Sequence, residues 1–348
     1  MKKALITGIT GQDGYFLAKF LLGKGYEVHG FARRNSQMAL GTLVFLTPDE
    51  RSRIKMHWGD VLDHPFIDSL VRMNRYDEIY HLAAQSFVGL SFENPKATYD
   101  INIGGTLNFV NAIKEYSQRT KMYFAATSEM YGKAEAVPQD ERTPFHPRSP
   151  YGVAKLAGFW TIKNYRESYG LYLTNGILFN HESEMRGPEF VTRKIAAGAA
   201  KIARGSSEPI RLGNLEARRD WGFAGDYVEG MWLMLQRPMP DDYVLATGEN
   251  YSVRECTERA FGRVGITIVW EGRGADEIGK NAANGQTVIT IDPAHFRPAE
   301  IDELRGDASK AKRELGWTTR MSFDTLVARM VDVEVARLKR PDLQFTQA

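Results

Sequence analysis

Short apolar runs alternate with helical patterns through the first half of this chain, and that rhythm limits the fold more than any other feature. Candidate strands are Ala4 to Thr7, Glu27 to Phe31, Ile54 to Trp58, Glu78 to His81, Met122 to Ala126 and Tyr172 to Leu178. Helical patterns follow most of them: Gly14 to Leu22, Pro65 to Met73, Ala97 to Tyr116 and Pro150 to Tyr169. Strands separated by helices are joined by crossovers, which lay the strands parallel and put helices on both faces of the sheet. Beyond Phe179 the rhythm breaks into loops, short helices and isolated short strands rich in Arg, Gly and Pro. Residues 1–178 therefore read as a parallel-sheet domain to which some later segments return. Residues 179–348 read as mainly a substrate-binding region, folded over the carboxyl edge where ligands of such sheets bind. Within it, Gly274 to Pro298 reads as a loop with one strand near Thr287 to Ile291, and Phe323 to Leu338 as a surface helix.

Composition removes several alternatives. The 348 residues can bury a sizeable core as one large domain or two intimate ones. Charge is nearly balanced, 45 basic against 43 acidic residues, which argues against a dedicated nucleic-acid or membrane surface. Cys256 is the only cysteine, so an intrachain disulfide and any multi-cysteine metal site are ruled out. The apolar run Ala4 to Ile6 is too short for a signal peptide, and no stretch approaches the ~18 apolar residues of a membrane span. A reducing, cytoplasmic setting is expected.

The first strand runs directly into Gly8-Ile9-Thr10-Gly11-Gln12-Asp13-Gly14. Glycines here allow a tight turn and close approach to a pyrophosphate, which the following helix N-terminus attracts. The spacing is GxxGxxG rather than the commoner GxGxxG. Placed between a first strand and a helix, it completes an α/β reading: a Rossmann-type doubly wound parallel sheet with a smaller, mixed C-terminal substrate-binding region. The second strand ends at Arg33-Arg34-Asn35-Ser36, where NAD-specific sites usually carry an acidic residue. Two arginines instead suit a 2′-phosphate, so NADP is the cofactor expected. Asp60 and Val61 after the third strand, and Leu82-Ala83-Ala84-Gln85-Ser86 after the fourth, stand at the strand ends where a dinucleotide would run.

Tyr151 and Lys155 stand four residues apart in a helix opening near Pro150, and so share a face. A phenol beside an ammonium suits proton removal from an alcohol as hydride leaves its carbon. Read alone, the pair is more often a core tyrosine and a solvated lysine. Thr127 and Glu129 change that weighting. They are two residues apart at the end of the fifth strand, so in extended chain they would point the same way. A hydroxyl, a carboxylate and a Tyr/Lys pair then meet at the edge of a nucleotide-binding sheet.

These residues carry a family resemblance. Gly8 to Gly14, Leu82-Ala83-Ala84, the Thr127/Glu129 loop and Tyr151/Lys155 resemble the extended short-chain dehydrogenase/reductases that modify nucleotide sugars. More narrowly, the chain resembles the GDP-mannose 4,6-dehydratases, in ITGITGQDG from Ile6, EVHGFARR from Glu27, DEIYHLAAQSFV from Asp77, TSEMYG from Thr127 and PRSPYGVAKL from Pro147. NGILFNHES from Asn175, RGPEFVTRKI from Arg186, LGNLEARRDWG from Leu212, ATGENYSVRE from Ala246 and RPAEIDELRGD from Arg297 extend the likeness. The resemblance implies that Tyr151 takes the proton of the sugar 4-hydroxyl, with Lys155 lowering its pKa and Thr127 bonding the same oxygen. Hydride would pass from C4 to NADP⁺, and the 4-ketone would acidify the C5 proton. Glu129 would remove that proton, water would leave from C6, and hydride would return to C6. The resemblance also implies cofactor contacts from Gly8, Thr10, Gly11, Gln12, Asp13, Gly14, Tyr151, Lys155, His181 and Arg186. Substrate contacts would come from Ser86, Glu129, Asn180, Val191, Lys194, Leu212, Gly213, Asn214, Arg219, Arg297 and Glu300. By chemistry Arg219 and Arg297 rank as phosphate clamps and Glu300 as a ribose or base acceptor. No metal is implied, and a homo-oligomer, a tetramer for preference, is.

Asn35 to Arg53 and Met185 to Glu189 depart from the family pattern, as do Ala97 and Tyr99. A dehydratase of another GDP-sugar, such as a heptose, therefore stays open. So does a nucleotide-sugar 4-epimerase, which needs the Tyr/Lys pair but no base at C5. A non-catalytic NADP-binding protein fits less well with an intact Thr127, Glu129, Tyr151 and Lys155 set.

Overall fold

In the computed structural model, which describes residues 1–34, 40–296, 299, 301 and 303–339, strands and helices alternate as expected. The first half runs β1 (Lys3–Thr7), α1 (Gln12–Gly23), β2 (Glu27–Ala32), α2 (Pro48–Ser52), β3 (Ile54–Trp58), α3 (His64–Asn74) and β4 (Glu78–His81). It continues with α4 (Val88–Glu93), α5 (Pro95–Tyr99), α6 (Gly105–Tyr116), β5 (Lys121–Thr127), α7 (Pro150–Tyr169) and β6 (Leu173–Leu178). The second half holds β7 (Asn180–Glu182), α8 (Val191–Ala203), β8 (Ile210–Leu212), β9 (Arg218–Arg219), β10 (Trp221–Phe223), α9 (Ala224–Gln236), β11 (Tyr243–Leu245) and β12 (Tyr251–Ser252). It ends with α10 (Val253–Arg263), β13 (Ile268–Glu271), β14 (Ile278–Asn281), β15 (Thr287–Ile291), α11 (Ser309–Leu315) and α12 (Phe323–Lys339).

Seven strands form one parallel sheet in the order β11-β6-β5-β4-β1-β2-β3. The order reverses between β1 and β4, which places a topological switch point, and hence a ligand crevice, at their carboxyl ends. Buried residues pack on both faces, one cluster around α1 and α9 and the other around α3, α6 and α7. β11 and α9 come from the second half of the chain and complete this sheet and its α1 face. A separate four-stranded sheet, β13-β14-β15-β8, and the helices α8, α10 and α12 enclose a third core.

Local chemistry sets the helix that matters most. Ser149 caps α7 by accepting from the Gly152 N–H at 3.0 Å, Pro150 occupies the first turn, and Gly170 ends the helix at φ 63°.

Three expectations need amendment. The pattern Ala97 to Tyr116 is not one helix: α5 and α6 are separated by a π-helical turn over Asp100–Gly104. That turn presents Asn102, whose side chain accepts from Gln85 N at 2.9 Å and donates to Gln85 O at 3.0 Å, clamping the loop after β4. Between Gly274 and Pro298 there are two strands, because β14 pairs antiparallel with β15 across a turn closed by Gly285 N donating to Asn281 O. Finally, α12 is half core: Phe323, Leu326, Val327, Met330 and Val331 are buried, and Glu334 beneath them accepts from Arg193 of α8 at 2.7 Å. Among the described residues no helix is long and apolar enough to cross a membrane.

Candidate active site

A cleft of about 190 Å³ opens at the carboxyl ends of β1, β4, β5 and β6. Its floor is the glycine turn after β1. Gly8 adopts φ +69°, and a Cβ there would sit 2.9 Å from Ala83 N; a Cβ on Gly14 would sit 2.3 Å from the Ile9 carbonyl oxygen. Side chains at these positions would break the turn and the approach of α1 to β1. Thr7 Oγ1 accepts from Leu82 N and Ala83 N, at 3.1 and 3.0 Å, and so fixes the turn against the 82–86 loop. Gly11 begins α1 without a side-chain cap, which leaves N–H donors of the first turn for a ligand.

Asp13 stands in that first turn and its Oδ2 lies 2.8 Å from His181 Nε2 on β7. Burial works against the Asp13 carboxylate, but the His181 charge and hydrogen bond outweigh it and hold Asp13 below the ordinary carboxylate range. Burial likewise works against the His181 cation, and Asp13 outweighs it, so His181 is held above its ordinary range. The anion at the helix start is thereby offset. Gln12 completes the bridge, donating to His181 O at 3.0 Å and accepting from Ser183 Oγ at 2.7 Å. Asn180 lines the cleft, and its buried Oδ1 has no partner among the described residues. An uncapped helix start, a glycine cradle and an unpartnered amide oxygen together fit a bound dinucleotide.

Thr127, Tyr151 and Lys155 all line the same cleft. Thr127 and Glu129 are not in extended chain, as their spacing suggested. Ser128–Met130 form a single 3₁₀ turn, with Thr127 as its cap accepting from Glu129 N at 3.2 Å. The turn, not strand alternation, brings the carboxylate round. Glu129 is 5% exposed, and its charge acts on Tyr151, whose hydroxyl is also hydrogen-bonded to Thr127. α7 comes close enough for this because Gly152 has no side chain; a Cβ there would lie 2.8 Å from Glu129 O.

The Tyr/Lys pair differs from expectation in one respect. Lys155 Nζ donates to Ala125 O at 2.8 Å and lies 6.0 Å from the Tyr151 ring centre. Burial dominates both groups. It pushes the phenol above its ordinary range, against the Thr127 hydrogen bond, and pushes the ammonium down to about 8. Lys155 is still mostly charged at neutral pH.

Other expected residues are placed as follows. Gly8, Gly11, Gln12, Asp13, Gly14, Leu82, Ala84, Ser86, Asn180, His181 and Arg186 line the cleft. Thr10 does not; its carbonyl accepts from Thr42 Oγ1 at 3.1 Å. Ala83 and Gln85 are engaged through backbone N–H groups by Thr7 and Asn102. Arg33 and Arg34 are exposed just past β2, while Asn35 and Ser36 lie outside the described residues. Asp60 Oδ1 accepts from Leu62 N at 3.0 Å, and Val61 is buried.

On the substrate side, Val191 opens α8, and Lys194 donates to Arg211 O at 3.1 Å and meets His295 Nε2 at 3.0 Å. Leu212 is buried on β8, and a Cβ on Gly213 would lie 2.6 Å from His295 O. Asn214 accepts from Glu216 N, and buried Arg219 donates to Ile301 O at 2.8 Å. Arg297 and Glu300 lie outside the described residues. Sequence reasoning missed Ala125, Ala126, Ser128, Leu178 and Phe179, which line the cleft, and His295, which meets Lys194. The first five lie at or just past the ends of strands β5 and β6, so their positions carried a usable signal; His295 carried none.

The model of the family described as GDP-mannose 4,6 dehydratase matches residues 5–330. The human GDP-mannose 4,6 dehydratase is 50% identical over 342 residues, covering 96% of this chain and 92% of its own. The Sinorhizobium fredii GDP-mannose 4,6-dehydratase is 48% identical over 97% of this chain and 98% of its own. Among solved structures, the Thermotoga maritima UDP-glucose 4-epimerase superposes with a TM-score of 0.80 at 22% identity, covering 97% of this chain and 99% of that one. The Bacillus anthracis dTDP-glucose 4,6-dehydratase, solved in complex with NAD, gives 0.78 at 18% identity, covering 99% and 98%. Both likenesses speak to the fold.

Proposed function

The chain belongs to the GDP-mannose 4,6-dehydratase family, and from that premise we propose that it converts GDP-mannose to GDP-4-keto-6-deoxymannose and water. The observation that carries the reading is that Thr127, Tyr151 and Lys155 line one cleft with the glycine turn after β1, while buried Glu129 lies close enough for its charge to act on Tyr151. Tyr151 would take the 4-hydroxyl proton, and Thr127, whose hydroxyl acts to lower the phenol's pKa, would bond the same substrate oxygen. Lys155, held by the Ala125 carbonyl, supplies positive charge that favours the phenolate. Glu129 removes the C5 proton, made acidic by the 4-ketone, and that proton is available to the departing C6 hydroxyl. NADP⁺ held by the Gly8 to Gly14 turn would supply a reversible hydride acceptor for this site, so that the C4 oxidation and the C6 reduction would cancel and the reaction would have no net redox change.

Gly8 to Gly14 would cradle the pyrophosphate, with Asp13 balanced by His181. Arg33 and Arg34 would meet a 2′-phosphate. Lys194 and Arg219 would face the substrate diphosphate. We read the enzyme as a cytoplasmic homo-oligomer, a tetramer for preference; light scattering that finds a monomer at micromolar concentration rejects this part. The function itself is tested by incubating the protein and NADP⁺ with a panel of nucleotide sugars and weighing the products. Loss of one water from GDP-mannose is expected. Turnover confined to a different GDP-sugar, or an isomer of unchanged mass, overturns the assignment.

A further inference from the structure

A second cavity, of about 500 Å³ and open to solvent, lies at the carboxyl end of β11, the edge strand of the large sheet. It shares no lining residue with the cleft described above. Gly306 packs against both Ala246, which lines this cavity, and Phe179, which lines the cleft, so the two spaces are near neighbours.

The walls are held by buried hydrogen bonds. Asp220, fully buried, accepts from Thr247 N at 2.9 Å, Thr247 Oγ1 at 2.7 Å, Gly248 N at 3.0 Å and Gly306 N at 3.2 Å. It draws the turn after β11 against the segment that precedes α11. From the other side Gln139 accepts from Arg305 N at 3.0 Å and donates from its own N–H to Arg305 O at 2.8 Å. The cavity is preorganised before any ligand arrives.

Two cations line it without a carboxylate partner. Neither Arg305 nor Lys312 forms an ion pair among the described residues, and Arg305 Nε is buried with no hydrogen-bond partner there. Nε is too buried for a ligand to reach, but the two outer guanidinium nitrogens make no hydrogen bond among the described residues and are open to an acceptor. The one carboxylate in the lining, Asp307, already accepts from Ser309 N at 2.8 Å. The remaining polar lining is hydroxyl: Ser309, Thr318 and Thr319, with Thr247 already committed to Asp220 and Glu249.

We propose that this cavity binds a phosphorylated sugar, its phosphate held by Arg305 and Lys312 and its hydroxyls by the threonine and serine rim. A guanidinium fork matches phosphate oxygens, and a lysine adds a point charge. The space exceeds what a bare phosphate fills, and hydroxyl side chains match a polyol.

The test uses the full-length protein with NADP⁺ and GDP at saturation, so that the cleft and its nucleotide subsite are occupied. Glucose 6-phosphate, glucose and inorganic phosphate are titrated by calorimetry. One site per chain is expected for glucose 6-phosphate, with weaker binding of phosphate and none of glucose. Arg305→Met and Lys312→Ala should each weaken glucose 6-phosphate binding about tenfold or more while leaving dehydratase turnover unchanged. Lys312 is exposed, so its variant keeps the test intact should Arg305→Met disturb packing. The proposal fails if glucose 6-phosphate gives no heat, if inorganic phosphate binds as tightly as the ester, or if neither variant weakens binding.

Discussion

Replacing Glu129 by Gln should separate the two halves of the proposed reaction. The substitution keeps the shape of a side chain that is 5% exposed, and the turn that carries it survives, because Thr127 Oγ1 is bonded to the backbone N–H of residue 129 rather than to its carboxylate. Glu129's charge also contributes, after burial, to holding the Tyr151 phenol above its ordinary range. Removing that charge therefore eases formation of the phenolate, so oxidation at C4 should persist or quicken. Elimination should slow by the ~10²–10⁴-fold typical of a lost base, which is about 3–5 kcal/mol of barrier at ~1.36 kcal/mol per decade. Under single turnover with NADP⁺ and GDP-mannose, nicotinamide absorbance should show reduced cofactor accumulating, with no 4-keto-6-deoxy product by mass. Tyr151→Phe should block the first step, so that neither signal appears. Wild-type product formation by Glu129→Gln would show that another group removes the C5 proton. Absence of reduced cofactor in that variant would show that Glu129 acts on the first step instead.

NADP⁺ should bind far more tightly than NAD⁺, and replacing Arg33 and Arg34 by Ala should shrink the gap by roughly 1.5–3 kcal/mol per charge-assisted contact; equal dissociation constants in the wild type would refute the assignment. Stability should fall on acidification below neutrality because of three histidines kept neutral by burial: His81, pushed down to about 3, and His29 and His57, both lowered. The unfolded chain binds these protons near ~6.5 and the folded chain does not, so the stability is present in full above that pH and is lost as pH drops, by about 2 kcal/mol from His81 alone at pH ~5. A urea midpoint that stays flat between those conditions would contradict this. Asp242→Ala should cost about 3–5 kcal/mol, because it strands Arg166, whose two 2.8 Å bonds to Asp242 tie α7 to the edge strand β11; an unchanged thermal midpoint would show the pair to be dispensable.

What the sequence could reveal followed from how locally each feature is determined. The six first strands were legible to within a residue or two because their apolar runs are bounded by turn residues, and a parallel sheet needs little more than that pattern. The glycine turn was legible because strand, glycines and helix are consecutive. Where a partner far along the chain decides, the pattern misled. Nothing local in Ala97 to Tyr116 shows that Asn102 must reach Gln85, yet a π turn sits where it does so. Nothing in Asp13 foretells His181, 168 residues away, which makes an acid tolerable in the buried first turn of α1. The Tyr151/Lys155 pair shows the same division within one helix turn. Spacing alone puts the two on one face, but whether the ammonium lowers the phenol's pKa depends on burial and on Ala125, contributed by another strand. A motif thus specifies which groups meet, while the fold around it sets their protonation. Lys155 therefore needs a test of its own. With its ammonium pushed down to about 8, an alkaline limb should appear in kcat/KM near that pH in the wild type. Lys155→Met should lose both the limb and most of the rate, whereas a purely structural lysine would leave the profile's shape unchanged.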